Sequence, residues 1–94
     1  MAIFTVTAGS TANAGLVENA IRSAFDNNNI MQLGELTWLI DDENNTNAIS
    51  VTEKLGVLNS EDAGKIGTYI VNQFNNYYGF HNSSVWDWLR AKGL

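Results

Sequence analysis

The sequence predicts an α+β fold, a small antiparallel-rich sheet packed on one face by helices in the order β-α-β-β-α-α. Three observations predict it. Residues 2–8, Ala-Ile-Phe-Thr-Val-Thr-Ala, are β-branched or aromatic and partly alternate, as a strand does. Leu16, Val17, Ala20, Ile21, Ala24 and Phe25 recur at three- and four-residue spacing, the stripe of an amphipathic helix. Leu36, Trp38 and Ile40, then Ile49 and Val51, alternate with their neighbours on either side of the polar stretch at residues 41–47, the pattern of a β-hairpin. Ninety-four residues hold one core and not two, so residues 1–94 read as a single compact domain.

The elements follow in order. Gly9 ends the first strand, and Ser10 or Thr11 offers a cap for a helix over residues 11–26. Asn27, Asn28 and Asn29 end that helix, because Asn side chains bond nearby backbone and favour turns. Residues 30–40 also carry a competing pattern, since Ile30, Leu33, Leu36 and Ile40 fall on one helical face; the hairpin is the preferred reading. Residues 54–58 form a connector broken at Gly56. Ser60 then caps a helix with Glu61 and Asp62 in its positive first turn. Ala63, Ile66, Gly67, Ile70, Val71, Phe74, Tyr77 and Tyr78 keep the helical period up to Gly79. Gly64 and Gly67 each cost such a helix about 0.8–1.0 kcal/mol against Ala, and close packing against another element accounts for Gly67. Ser83 or Ser84 starts a last helix over residues 85–91, with Arg90 and Lys92 near its negative end.

Composition removes several function classes. Five Lys and Arg against ten Asp and Glu give a net charge of −5. Such a chain is repelled by phosphate backbones and anionic membranes, so neither direct nucleic-acid binding nor membrane binding is expected. The absence of cysteine excludes disulfides, thiolate chemistry and Cys-based zinc sites. Residues 1–5 lack the basic segment and long apolar run of a signal peptide, and a cytoplasmic protein is expected.

Nothing marks an enzyme, and no cofactor is expected. His81, Ser83, Ser84 and Asp87 include the residue types of a hydrolase triad, but triads are assembled from distant segments around an oxyanion hole. Residues 9–15 match neither glycine-rich phosphate loop. A helix-turn-helix over residues 54–70 would open its second helix with Glu61 and Asp62, which face the wrong way electrostatically for a DNA groove.

One segment has the spacing of a metal loop. Asp42, Asn44 and Thr46 stand at first, third and fifth places, Ala48 offers a carbonyl at the seventh, Ser50 is ninth and Glu53 closes the twelve. Residues 42–53 thereby resemble the calcium loop of EF-hand proteins, which implies a calcium-binding module as the alternative function. The segment departs from that family in having Asn47 where the sharp-turn glycine belongs. With only Asp42 and Glu53 as anionic ligands, such a site would be weak, and a polar hairpin loop is the preferred reading.

The leading expectation is a non-enzymatic, acidic binding or inhibitor protein that occupies the surface of a basic protein partner, such as a nucleic-acid-handling protein. Asp41, Asp42, Glu43, Glu61 and Asp62 are the candidate steering acids. Seven of the ten aromatic residues lie between positions 69 and 88, and Tyr77, Tyr78, Trp86 and Trp88 are the candidate apolar anchors. On the last helix Trp88 shares a side with Val85 and Leu89, which leaves Trp86 about 160° away. Phage-encoded inhibitors of host defence, including anti-CRISPR proteins, and immunity proteins for nuclease toxins are similar in size and charge, without a shared motif. Self-association through the aromatic C-terminal segment is a third reading.

Overall fold

The structure is a computed structural model, and it describes residues 3–42, 47–55, 67–74, 79, 81 and 83–93. Strand β1 (Ile3–Ala8) leads into helix α1 (Ala14–Ala24) and a single 3-10 turn at Asn27–Asn29. Strands β2 (Ile30–Gln32) and β3 (Thr37–Asp41) follow, then helix α2 (Ala48–Lys54), strand β4 (Tyr69–Phe74) and helix α3 (Ser83–Ala91). The fold is α+β, with the expected β-α-β-β-α-α elements and one further strand, β4, ahead of the last helix.

The sheet has the order β2-β3-β1-β4 and every pairing is antiparallel. Two crossovers interleave. The chain leaves β1 through α1 and returns as β2 beyond β3; it leaves β3 through α2 and returns as β4 on the far side of β1. This is the split β-α-β connectivity, with α3 added at its end.

Period-2 alternation sends Phe4, Val6, Ala8, Trp38 and Ile40 to one face, where they bury against Val17 and Ile21 of α1 and Val51 and Leu55 at α2. Each aliphatic side chain buried in this way contributes roughly 1.5–3 kcal/mol. Ile3 and Leu39 point the other way and meet Val85 and Leu89 of α3. Helices therefore cover both faces, which corrects the expectation of packing on one face alone. The alternation of β1 required this, because Ile3 is as buried as Phe4 and needs a cover of its own.

Three local expectations also change. The hairpin joins β2 to β3 through a tight turn in which Leu33 N–H donates to the Thr37 carbonyl (2.8 Å), and Ile30 pairs in register with Ile40. Strand pairing thus settles the ambiguity of residues 30–40. Ile49 and Val51, expected in a strand, lie in α2. Asn47 caps that helix, its Oδ1 accepting from Ser50 N–H (2.9 Å), so that Ala48, Val51 and Leu55 turn to the core while Ile49 faces solvent. Residues 69–74, expected in a helix, are strand β4, in which Tyr69 and Val71 pair with Ala8 and Val6. A strand suits Tyr-Ile-Val better than a helix that must also carry two glycines. The rest of that expected helix, residues 60–66 and 75–78, lies outside the described residues.

Gly67 has a reason other than helix packing. Its φ is 79°, a left-handed conformation, and a Cβ there would stand 2.9 Å from Cβ and Cγ of Asn13. Asn13 cannot easily withdraw, because its Nδ2 donates to the Thr68 carbonyl (2.8 Å) and its Oδ1 accepts from Ser10 N–H (3.1 Å). Gly67 thus lets the lead-in to β4 latch onto the start of α1. Gly67→Ala is expected to lower stability by about 2 kcal/mol, read as a lower urea midpoint at unchanged slope. A midpoint equal to that of the parent would show that neither the left-handed backbone nor the Asn13 contact is constrained.

Candidate functional site

Strand β3 ends on two consecutive acids, and the strand period sends them to opposite faces of the sheet. Asp41 pairs in register with Ile3 and points toward α3, where Lys92 Nζ lies 3.3 Å from its Oδ2. Asp42 points the other way and takes Lys54 of α2, with Nζ 2.9 Å from Oδ2 and 3.1 Å from Oδ1. Both acids are buried, 1% and 3% exposed. They cannot act as surface steering charges, which corrects the expectation for Asp41 and Asp42. A carboxylate is buried only where a cation or hydrogen bonds compensate its lost hydration, and each of these two received a lysine.

The two lysines are held by aromatic rings as well. Lys54 Nζ lies 5.3 Å from the Phe25 ring centre and Lys92 Nζ 5.6 Å from that of Trp88. Lys92 donates to Asn29 Oδ1 (2.7 Å), and Trp88 Nε1–H donates to the Asn28 carbonyl (3.2 Å). The Asn27–Asn29 turn thereby ties α3 to the end of α1. Lys54 closes the last turn of α2 and Lys92 follows α3, where cations complement the negative helix ends. Between these parts lies a polar cleft of about 230 Å³ lined by Phe25, Asp26, Asn29, Asp41, Asp42 and Lys54.

The described cations are all engaged within the chain. Arg22 pairs with Glu18 (3.0 Å) and Arg90 with Asp87, in addition to the two lysine pairs. Asp26, Glu35 and Glu53, among the described residues, face no cation within ion-pair distance. Glu43, Glu61 and Asp62 lie outside the described residues, as do Tyr77 and Tyr78.

Trp86 and Trp88 flank the buried Val85–Leu89 stripe of α3, each about 80° from its centre at 3.6 residues per turn. Both are partly buried and pack against the Ile3–Leu39 cluster. Trp86 was expected to stand clear of the core; a flat sheet face reaches further around a helix than one neighbouring helix would, and so touches both indoles.

Of the six candidate ligands in the calcium-like segment, four are among the described residues. Asp42 is ion-paired to Lys54, the Ala48 carbonyl accepts from Thr52 Oγ1–H (2.8 Å), and Ser50 bonds its cap residue Asn47. Glu53 is exposed on α2, and Asn44 and Thr46 lie outside the described residues. No group of three His, Asp or Glu among the described residues is placed to hold a metal ion. The triad types do not meet either: His81 donates from Nε2 to the Leu33 carbonyl (2.6 Å), and Asp87 pairs with Arg90.

A second cleft, about 380 Å³, lies at the other end of the β1–β4 pair, beside Thr7, Gly9, Thr68 and Ile70. Tyr69 borders it, and burial pushes its phenol pKa above the ordinary value, so it stays neutral in physiological buffers. Among the described residues no helix is long and apolar enough to cross a membrane.

The Asp41–Lys92 pair gives a stability test. Lys92→Ala leaves a fully buried carboxylate without its cation and is expected to cost about 3 kcal/mol. Asp41→Asn in the same chain is expected to recover at least half of that loss in denaturant melts. Absence of recovery would mean that Lys92 acts through packing on Trp88 and not through charge.

No protein-family model matches this chain, and no curated protein and no solved structure matches it.

Proposed function

We propose that this is a non-enzymatic binding protein, an inhibitor by occupation, whose acidic surface covers a basic surface of a protein partner. The carrying observation is that every described cation is spent inside the chain while Asp26, Glu35 and Glu53 remain uncompensated on a molecule of net charge −5. A surface whose described positive charges are already neutralised locally presents mainly negative potential to an approaching partner, which steers association toward basic targets and away from phosphate. Nucleic-acid-handling proteins carry such basic grooves, and a phage anti-defence inhibitor is one role that fits. The partly exposed edges of Trp86 and Trp88 supply apolar contact area beside the acids, with Tyr77 and Tyr78 as further anchors. A chain without cysteine suits the cytoplasm, where we place this action.

The test is capture by the immobilised full chain from an extract of the source cells, then kinetics with the purified partner. The expected partner is basic, and its association rate falls about tenfold or more from low salt to about 0.15 M. Replacing Asp26, Glu35 and Glu53 together by Asn, Gln and Gln is expected to slow association and leave dissociation within about twofold. The chain alone is expected not to bind random duplex DNA at the higher salt. An acidic partner, or an association rate indifferent to salt, overturns the proposal.

A further inference from the structure

We propose that β4 is a self-pairing edge, through which two copies of this chain join antiparallel and merge their sheets about a two-fold axis at Val71. This goes beyond the acidic-surface reading and does not rest on it. The first observation is the direction of the β4 backbone. β4 ends the order β2-β3-β1-β4 and, among the described residues, pairs with β1 alone. Gly9 N–H donates to the Thr68 carbonyl (2.8 Å), in the register that sets Thr7 against Ile70 and Thr5 against Asn72. Hydrogen-bonded pairs recur at every second residue of an antiparallel ladder, so Thr68, Ile70 and Asn72 give their backbone groups to β1. Tyr69, Val71 and Gln73 direct theirs away from the sheet. Their N–H and carbonyl groups form a row that templates another strand.

The second observation concerns the devices that keep natural edges apart, which are charged side chains, proline and short length. Residues 66–80 include no Lys, Arg, Asp, Glu or Pro. β4 is six residues long, whereas the opposite edge, β2, has three. Ile70 is 62% exposed, and on the other face of the strand Tyr69 and Val71 are only partly buried. A basic partner finds no acid on this strand, so the edge selects a neutral strand, and β4 is itself one. Two copies of net charge −5 repel, and an uncharged edge is where they approach at least cost.

Symmetry then fixes the register. A strand paired with its own copy has a two-fold axis, and outward residues must oppose outward residues. With Val71 on the axis, Tyr69 opposes the partner's Gln73, and every outward group of Tyr69, Val71 and Gln73 is bonded. Ile70 opposes the partner's Asn72, which brings the two Ile70 side chains into the diagonal relation, about 7–8 Å apart. Contact through one strand is small, so the dimer is weak and reversible.

The experiment is sedimentation of the full chain over about 1–500 μM. A reversible monomer–dimer equilibrium is expected, and added salt tightens it by screening repulsion, the opposite sign to association with a basic partner. Ile70→Lys is expected to raise the dimer dissociation constant about tenfold or more. Ile49→Lys, the same change at a similarly exposed isoleucine of α2, alters it less than about twofold. Gln73→Pro removes an outward N–H, spares the β1 ladder and is expected to weaken the dimer about tenfold or more. Should Gln73→Pro fail to fold, Ile70→Lys decides alone. The chain has no cysteine, so a mixture of Ile70→Cys and Asn72→Cys chains is expected to crosslink on oxidation faster than either alone. Faster crosslinking of Ile70→Cys with itself overturns the Val71 register. A chain still monomeric at about 500 μM overturns the dimer and leaves the acidic-surface reading standing. A dimer weakened equally by Ile70→Lys and Ile49→Lys, or by neither, overturns β4 as the interface. A monomer whose captured partner is lost with Gln73→Pro overturns the second copy as occupant and assigns the edge to a strand of that partner.

Discussion

Strand β1 is paired along its length with β3 on one side and β4 on the other, and the remaining elements take their positions from it. A strand held on both edges has no freedom to slip, because a shift of one residue would exchange its two faces. Phe4, Val6 and Ala8 then demand one cover and Ile3 another. Helices α1 and α2 supply the first, and α3 supplies the second. The fold is thus a consequence of a short strand that is apolar on one face and apolar at one end of the other.

The same alternation governs the charged end of the sheet. β3 continues one residue beyond Ile40 with Asp41 still in register with Ile3, so an acid occupies a site between sheet and α3. Asp42 falls on the side of α1 and α2 by the next step of the chain. Neither burial is tolerable without a cation, and at that position Lys54 ends α2 and Lys92 follows α3. Helix ends favour those lysines independently, through their negative poles. Two separate electrostatic requirements are met by the same side chains.

Much of this was legible locally and some was not. The first strand and first helix are visible because their periods, two and 3.6, are unmistakable over their length. The last helix is visible through Ser83, the Val85–Leu89 spacing and the basic end. β4 was misread because Ile70, Val71 and Phe74 satisfy helical spacing, while its partner strand lies far away at the N-terminus and leaves no local trace. α2 was misread because Ile-Ser-Val-Thr alternates, and Asn47, a helix cap in the structure, is equally at home in a hairpin loop. The burial of Asp41 and Asp42 had no local signal either. Two acids at the start of a polar run look solvated until the topology brings Lys54 and Lys92 to them.

The non-local origin of Lys92 has a further consequence. α3 belongs to none of the β-α-β crossovers, and it is the element that carries both the counter-charge of Asp41 and the Trp88 ring beside it. Docking of α3 on Ile3 and Leu39 therefore sets the charge of the cleft in the same step that it completes the second core. Without that helix the end of β3 would present two acids against one lysine, a more negative site with an uncovered apolar neighbour. With it, Asp41 is charge-balanced yet still short of hydrogen-bond donors.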